Sequence, residues 1–486
     1  MVGCPLGERT QRLIATTGGW LGLAAILVVQ SIIAVVFALT PQAAIVMVFG
    51  TVAVVIVLVR PVLGVGILIA ARLLSTGATT FFRVGPVGIS LVEPVVVVCA
   101  CALALRVATH RRIIWSERHW LGPYLCLLAW VCISMMWSVD PVGGLTEVLP
   151  MLLVLVTASV IVGLIDNWND FRLMLWVWVS SCVAIGVISA VLTHFGIDFG
   201  GFTFEAATGG GRETGLGQQP NWYAMNLMFI IHTCFGMALI ETRPGRRRGL
   251  FCAGTFVFFM MLTSGSRGGA YATIVGAVLM ALSHRVFRQW FIRFLFVTMA
   301  IFVMGIVFDV GGSQRALSRI ASDVSLHSNI RPLNWSACVS MLIDTHGLGI
   351  GVGGYNVVLP RYNAHIAQTV YDYPHGILWE VMAHYGVIGM VLLGLLVRTI
   401  FKMTMSVIDL AKGTAAEVIA WTMPASMLGY AAWSFFEFTV NEKPFWEFLS
   451  LYTALYFVLR KSKDTDEDLP VFSTPLVWLN QPLKRD

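Results

Sequence analysis

The apolar residues of the chain fall in long uninterrupted runs that short polar segments separate. A membrane-spanning helix needs about 20 predominantly apolar residues. About fourteen runs approach that length, and each predicts a span. They cover residues 19–40, 42–59, 61–75, 88–106, 121–138, 146–165, 171–194, 222–240, 248–263, 269–283, 290–308, 376–401, 416–436 and 444–460. Because three of these runs are short, we expect an all-α polytopic membrane protein with about 12–14 transmembrane helices.

Composition agrees with this pattern. Of the 486 residues, 57% are hydrophobic and only 12% are charged, whereas a soluble domain has about 25% charged residues. The runs predict one integral membrane domain, residues 19–460, between an N-terminal segment, 1–18, and a polar tail, 461–486. The first run is too long for the apolar part of a cleavable signal peptide, so we expect it to remain as a span.

Arginine and lysine residues predict the orientation of the spans. If the N-terminus is cytoplasmic, every second loop is cytoplasmic, and the most basic short loops all fall on that side, as the positive-inside rule requires. Their basic residues are Arg9, Arg12, Arg60, Arg111, Arg112, Arg118, Arg243, Arg246, Arg247, Arg248, Arg285, Arg288, Lys412, Lys461 and Lys463. We therefore expect an even number of spans, with both termini in the cytoplasm.

The longest polar stretch, residues 309–375, is then extracytoplasmic. It ends at Pro374-His375-Gly376, which opens the next apolar run. A neutral imidazole at that place can act as a general base near pH 7, although a single histidine is more often a packing or interfacial residue. The other histidines of this stretch lack the spacing of metal ligands, so we predict no metal site.

Three arginines on the same side are unusual, because the positive-inside rule disfavours them there. Arg212 and Arg267 lie in glycine-rich contexts, where the backbone can approach a ligand closely, and Arg331 lies in the long loop. Arg267 also opens a helix, whose N-terminus favours anions. An arginine in such a place can bind a phosphate group, or it can simply extend to the membrane interface.

Two carboxylates and one glycine-rich run complete the candidates. Glu93 and Glu380 lie within or near predicted spans, where ionisable residues are often functional, but either could instead pair with a neighbouring side chain. The run Gly347–Gly354 contains a GxGxxG pattern without the preceding strand of a dinucleotide-binding unit. We interpret it as a tight backbone corner beside a cavity.

Four segments in this order resemble those of one family. Arg212 to Ala224 reads R-E-T-G-x-x-x-x-P-N-x-x-A, and Ser264 to Ala270 reads S-G-S-R-G-G-A. His375-Gly376 precedes Gly386-Val387-Ile388-Gly389 by nine residues, and the run from Arg331 to Tyr355 lies in the long loop. The chain is similar, across most of its length, to the O-antigen ligase and O-antigen or exopolysaccharide polymerase family of bacterial membrane glycosyltransferases. Gly376 stands where the ligases usually have a polar amide or hydroxyl side chain.

The resemblance implies a GT-C-like enzyme of the bacterial inner membrane that takes a glycan from undecaprenyl pyrophosphate on the extracytoplasmic side. His375 would act as the base, and Arg212, Arg267 and the less certain Arg331 would bind the pyrophosphate. A single displacement would invert the anomeric carbon. The resemblance implies no cofactor and no metal, because arginines would neutralise the leaving group.

The acceptor would be a hydroxyl of lipid A–core in a ligase, or of another lipid-linked glycan in a polymerase. Glu380, Asn221 and Tyr355 are candidate supporting residues within the same motifs. The implied partners are the lipid-linked donor, the hydroxyl acceptor and membrane lipids, with no nucleic acid. Of the two activities we favour ligase on the histidine spacing.

A lipid or polysaccharide transporter is the alternative from another functional class. Transporters commonly show paired half-chains with broken helices at matching positions. The sequence shows no such pairing, and its unusual arginines lie at loop ends rather than within spans. These features favour the transferase interpretation.

Overall fold

A computed structural model describes most of the chain after residue 51. The described residues are 52, 54–74, 82–84, 87–89, 92–110, 120–195, 220–283, 285–308, 327–362, 374–437 and 440–465. By its internal contacts the chain divides into residues 1–64 and residues 65–486. In the first unit, residues 54–59 are helical and a second helix begins at Pro61. The architecture that follows is that of the second unit.

The described chain is helical apart from one short β-hairpin and its loops. The helices are α1 Pro61–Leu74, α2 Val92–His110, α3 Leu121–Ser134, α4 Pro141–Leu164, α5 Trp168–Phe195, α6 Pro220–Ile240, α7 Pro244–Thr263, α8 Arg267–Ser283, α9 Arg285–Phe308, α10 His327–Asp344, α11 Tyr355–Tyr362, α12 Ile377–Ala411, α13 Glu417–Ser434 and α14 Lys443–Thr465. Strands β1, Phe82–Val84, and β2, Val87–Ile89, pair antiparallel with Phe82 opposite Ile89.

The helices confirm an all-α polytopic membrane protein. Five described helices are long and apolar enough to cross a membrane, and three shorter ones are apolar. The five spans are Val92–Thr109, Pro141–Leu164, Trp168–Val191, Pro220–Ile240 and Ile377–Ala411. Every predicted run from residue 61 onward coincides with a helix, while the run at 19–40 lies outside the described residues. The described part of the long loop forms two helices, α10 and α11.

Helix α6 lies at the centre of the bundle, and 83% of its span is buried. It packs against α7, α8 and α13. One polar side chain joins three of these helices: His232 Nδ1 lies 2.9 Å from Ser426 Oγ of α13, and its Nε2 lies 3.0 Å from the Thr273 carbonyl oxygen of α8. Hydrogen bonds of this kind stabilise helix association in a membrane, where the hydrophobic effect does not act between helices.

Two ion pairs connect helices of the described bundle. Arg72 Nε donates to Glu447 Oε1 at 2.7 Å, and both side chains are less than one-tenth exposed. Lys443 Nζ lies 3.5 Å from Glu93 Oε1. Glu93 therefore takes part in an ion pair that connects α2 with α14. This agrees with the interpretation that Glu93 pairs with a neighbouring side chain.

The longest helix, α12, is kinked at Gly386, whose φ of 64° is not helical. The kink leaves carbonyl groups of the preceding turn without partners within the helix. These groups accept hydrogen bonds from other segments of the chain. The backbone N–H of Ile350 donates to Ala383 O at 2.9 Å, that of Gly351 donates to His384 O at 3.0 Å, and the indole of Trp130 donates to Tyr385 O at 2.8 Å. The glycine run 347–354 is thus a tight backbone corner, and it packs on the kink of α12.

Gly349 shows why this corner needs glycine. Its φ is +79°, and a Cβ at this position would lie 2.6 Å from His384 O and 2.7 Å from Gly386 N, which are backbone atoms that cannot move aside. A left-handed conformation alone costs a residue other than glycine about 1–3 kcal/mol. By contrast, a Cβ at Gly394, about two turns beyond the kink in α12, would meet no atom within 4 Å.

We therefore expect Gly349→Ala to destabilise the protein by at least about 2 kcal/mol. Gly394→Ala should leave stability unchanged or raise it slightly, because alanine is the better helix former. Thermal unfolding of both variants in the same detergent is the measurement. Equal midpoints for the two variants would mean that the loop does not pack on the kink as described.

Candidate functional site

Three of the four residues predicted to carry the chemistry lie where helices begin. Arg267 is the first residue of α8, Arg331 lies in the first turns of α10, and His375 comes two residues before α12. Arg212 lies outside the described residues. Asn221, predicted as a supporting residue, is the second residue of α6. The geometry below concerns the residues that the structure describes.

The carboxylate of Glu437 connects these helix starts. Its Oε1 accepts a hydrogen bond from Asn221 Nδ2 at 2.7 Å, and its Oε2 accepts one from Arg331 Nη2 at 2.6 Å. His375 Nδ1 lies 3.9 Å from Oε1. The Glu437 side chain is 5% exposed, so its charge is compensated by these neighbours rather than by water. The carboxylate therefore brings together three of the residues that the sequence singled out.

Glu437 itself was missed by the sequence interpretation. It lies directly after the apolar run 416–436, in the short loop before the last span, which the positive-inside rule predicts to face outward. An acidic residue in a loop on the same side as the unusual arginines was the signal that could have found it. Only the fold, however, places this loop against the starts of α6, α10 and α12.

Arg267 is linked to the same cluster through the preceding residue, Ser266, which contacts Asn221. Ser266 Oγ donates to Asn221 Oδ1 at 2.9 Å and accepts from Gly269 N at 3.3 Å, so it caps the start of α8. The Arg267 side chain is exposed. Its guanidinium is therefore accessible, next to a helix N-terminus that carries partial positive charge. The two features together favour an anion at this place.

His375 is buried, with 7% of its surface exposed, and its φ of 56° is unusual for a residue other than glycine. The indole N–H of Trp335 donates to the His375 carbonyl oxygen at 3.3 Å. Residues held in rarely populated backbone conformations cluster at functional sites. The indole of Trp335 thus contacts the backbone of His375 in this unusual conformation.

Gly376 follows with a φ of 135° and caps the start of α12. A Cβ here would lie 2.2 Å from the carbonyl oxygen of Phe435. The backbone of the α13 end thus occupies the place that a side chain would need. This close approach explains why glycine stands where ligases usually have a polar side chain.

Four aromatic side chains form a wall beside His375. Trp335 and Trp379 stack with centroids 4.9 Å apart and planes 12° apart, and Phe435 contacts both indoles edge-on. Phe436 contacts Trp335 at 6.0 Å. Phe435 and Phe436 are more than one-third exposed. The wall presents an apolar, aromatic surface that contacts the backbone of His375 through Trp335.

Two predicted supporting residues do not contact Glu437. Glu380 is buried one turn into α12, and its Oε2 accepts from the backbone N–H of Val440 at 2.9 Å. Tyr355 donates to Asn334 Oδ1 at 3.0 Å and packs in an apolar cluster with Cys338. Burial raises the pKa of the Cys338 thiol to about 12 and also raises the pKa of the Tyr355 hydroxyl. Tyr355 therefore supports the packing of α10 against α11 and α12.

The cluster combines two chemical capacities. Arg267, which is exposed, and Arg331, which is 38% exposed, offer guanidinium groups to an anionic ligand. His375 offers an imidazole whose Nδ1 faces a carboxylate, a contact that stabilises the protonated ring. The arrangement can therefore bind a phosphate-containing group and accept a proton.

We expect the Arg331–Glu437 pair to respond asymmetrically to mutation. Arg331→Gln would leave a buried carboxylate without its main counter-charge, which costs about 3–5 kcal/mol. Glu437→Gln should cost less, because Arg331 can reach water. In the double variant Arg331→Gln/Glu437→Gln, unfolding in detergent should show a smaller loss than in Arg331→Gln alone. A strictly additive loss in this double-mutant cycle would contradict the pairing.

Comparison with known families adds an independent observation. Residues 252–394 match the family model described as O-antigen ligase. The matched segment runs from α7 into α12 and contains Arg267, Arg331 and His375. No curated protein matches the chain. This match supports, over residues 252–394, the family resemblance seen in the motifs.

Proposed function

We propose that the chain transfers a glycan from undecaprenyl pyrophosphate to an acceptor hydroxyl at the extracytoplasmic face of the bacterial inner membrane. The observation that carries this proposal is the Glu437 cluster, which joins Arg331, Asn221 and His375 beside an exposed Arg267. A displacement at a sugar carbon with a diphosphate leaving group requires an anion site and a proton acceptor side by side. The family match supports the same class of reaction.

The arginines bind the donor pyrophosphate in this proposal. Arg267 and Arg331 contribute the described guanidinium groups, and Arg212 contributes a third from outside the described residues. Fixed cations in a water-poor site stabilise charge that develops on the leaving group, and this term is usually the largest in such catalysis. Glu437 takes one N–H of Arg331, and a guanidinium has five N–H donors, so the remaining donors can point to a phosphate. No metal is required for this step.

His375 acts on the acceptor. Its Nε2 removes the proton from the acceptor hydroxyl, while that oxygen forms a bond to the anomeric carbon and the bond from carbon to the diphosphate oxygen breaks. The diphosphate leaves with its electron pair on the lipid carrier, and the anomeric configuration inverts. Glu437, near Nδ1, positions the ring and stabilises the imidazolium that forms. The aromatic wall and the described helices of the loop, α10 and α11, border the acceptor side.

The direction of α6 supports the extracytoplasmic location. Asn221 lies at its start, and four arginines lie just beyond its end. They are Arg243, Arg246, Arg247 and Arg248, three of which open α7. Twenty-one helical residues separate the two ends by about 30 Å, the thickness of a bilayer core. The positive-inside rule then assigns the arginine end to the cytoplasm and the Glu437 cluster to the opposite face.

A polymerase that joins lipid-linked repeat units is the second candidate. One observation favours it: Gly376 cannot carry the polar side chain that ligases usually have, because the Phe435 backbone occupies that space. The histidine spacing favours the ligase. The two activities share the donor chemistry and differ in the acceptor.

Replacing His375 by asparagine tests the assignment of the base. Asparagine tolerates a left-handed backbone, so the variant retains the conformation and loses the imidazole. Because general base catalysis contributes about 10²–10⁴-fold, we expect glycan transfer in isolated membranes to fall at least 100-fold at equal protein level. His346→Asn is the matched control, because His346 has a φ of 51° in the same loop. Transfer by His375→Asn at the rate of the control would exclude the imidazole as base.

Replacing arginines tests the pyrophosphate site. Arg267→Ala should reduce transfer strongly and raise the donor concentration needed for half-maximal rate, because an exposed guanidinium next to a helix start is lost. Arg361→Ala removes an exposed arginine from α11 in the same loop and should leave transfer unchanged. If both variants behave alike, Arg267 has no part in donor binding.

The lipid-linked glycan that accumulates in cells lacking the protein separates the two candidates. Loss of a ligase should leave long undecaprenyl-linked chains, whereas loss of a polymerase should leave single repeat units. Mass spectrometry of the extracted lipid-linked pool is the measurement. Accumulation of neither species would contradict both activities.

A further inference from the structure

A second polar cluster lies inside the bundle, apart from Glu437. It consists of Glu147 of α4 and of Glu380 and His384 of α12, and one carboxylate or ring nitrogen atom from each residue lies within 4.8 Å of those of the other two. Glu380 and His384 are 3% and 2% exposed, and Glu147 is half-buried. Tyr385 Oη donates to Glu147 Oε2 at 3.1 Å. The proposed transfer reaction uses none of these side chains.

His384 is the second observation that points to a ligand. Within the part of the chain that the structure describes, neither of its ring nitrogens has a hydrogen-bond partner. Its Nδ1 lies 3.4 Å from Glu147 Oε2, a contact without the geometry of a hydrogen bond. A buried imidazole normally satisfies at least one nitrogen, as His232 does on α6. The ring of His384 instead points its nitrogen between two carboxylates.

The charges of this cluster are not balanced by the described side chains. The buried carboxylate of Glu380 and the half-buried one of Glu147 face one imidazole, and among the described residues the ion pair of this cluster is that of Glu147 with His384. Glu442 adds a further negative charge nearby. Burying carboxylates without an adequate counter-charge is costly, and coordination of a metal ion is one of the usual ways in which proteins compensate it. One divalent cation with a neutral imidazole would make the cluster neutral.

The distances suit such an ion. Oxygen and nitrogen ligands bind first-row divalent metals at about 2.0–2.2 Å, so two ligands of one ion, at angles of about 90–110°, lie about 3–3.5 Å apart. The separation of Glu147 Oε2 and His384 Nδ1 falls in this interval. Glu380 and His384 are four residues apart on one helix, a spacing that places both on the same face.

We propose that Glu147, Glu380 and His384 bind one divalent first-row transition-metal ion. Carboxylates and an imidazole together suit Zn²⁺ and Mn²⁺ better than Mg²⁺ or Ca²⁺, which prefer oxygen alone. The Tyr385 hydroxyl orients Glu147 from outside the coordination shell. The ion ties α4 to the segment of α12 between His375 and the kink at Gly386.

This site differs from the sequence-based expectation that no metal is bound. That expectation came from the spacing of the loop histidines, and it concerned His327, His346 and His365. Glu147 lies more than 200 residues before Glu380 and His384 along the chain, and only the fold brings the two helices together. Glycan transfer at the Glu437 cluster does not depend on this ion for any chemical step.

The test uses the full-length protein, purified in detergent without chelator and freed of any polyhistidine tag. Inductively coupled plasma mass spectrometry should find about one zinc or manganese ion per chain. After treatment with EDTA, ZnCl₂ or MnCl₂ should raise the midpoint of thermal unfolding. Glu380→Gln and His384→Gln should each lower the bound metal at least tenfold and abolish the shift.

Glu93→Gln is the matched control, because it neutralises another carboxylate in a membrane helix and should retain the metal.

Absence of stoichiometric metal in the wild-type protein, together with no shift from either salt, would overturn the proposal. Equal metal in wild type, Glu380→Gln and His384→Gln would overturn it as well. If Glu380→Gln does not fold, His384→Gln and Glu147→Gln decide. None of these readouts requires transfer activity, so failure of the metal site and failure of the proposed function are distinguishable.

Discussion

A single buried carboxylate organises the candidate site. Glu437 is held after the end of α13, where it accepts from the α6 amide of Asn221 and from the α10 guanidinium of Arg331, close to the imidazole that precedes α12. In a membrane protein a buried charge of this kind is stable only with its partners. The ends of four helices are thereby constrained to one another through the side chains of the candidate site.

A second constraint acts through the backbone. The kink of α12 at Gly386 exposes carbonyl groups, and the glycine corner 347–354 and the Trp130 indole satisfy them. Unpaired backbone groups are costly in the bilayer, and broken helices persist only where protein compensates them. The corner also connects α10 with α11 in the long loop. The geometry of the kink and the position of the loop are therefore linked. Along α12, the kink at Gly386 lies at one side of the first turns, and His375, near Glu437, lies at the other.

The polar residues of the bundle fall into distinct groups. His232 binds helices together, Arg72 and Glu447 neutralise each other, and the Glu437 cluster leaves guanidinium surface accessible. The Glu437 cluster differs from the other two groups in that its arginines expose hydrogen-bond donors at one end of the bundle. That end also carries the aromatic wall of Trp335, Trp379, Phe435 and Phe436 beside His375. An aromatic surface next to cationic groups suits an amphipathic substrate at a membrane interface.

The sequence by itself determined the helical membrane class, the approximate positions of the described helices from residue 61 onward apart from α10 and α11, and the candidate status of Arg267, Arg331 and His375. These follow from local quantities: the length of an apolar run, a charge in an unusual place, and a short motif. It could not determine that Glu437 joins these residues, that Tyr355 serves packing, or that Glu147 meets Glu380 and His384. Those facts depend on which helix ends and faces are adjacent. Because α6 is buried on nearly every side, its sequence has no amphipathic periodicity from which the neighbouring helices could be inferred. Only tertiary packing determines these contacts, because it places side chains from distant parts of the chain around one buried carboxylate.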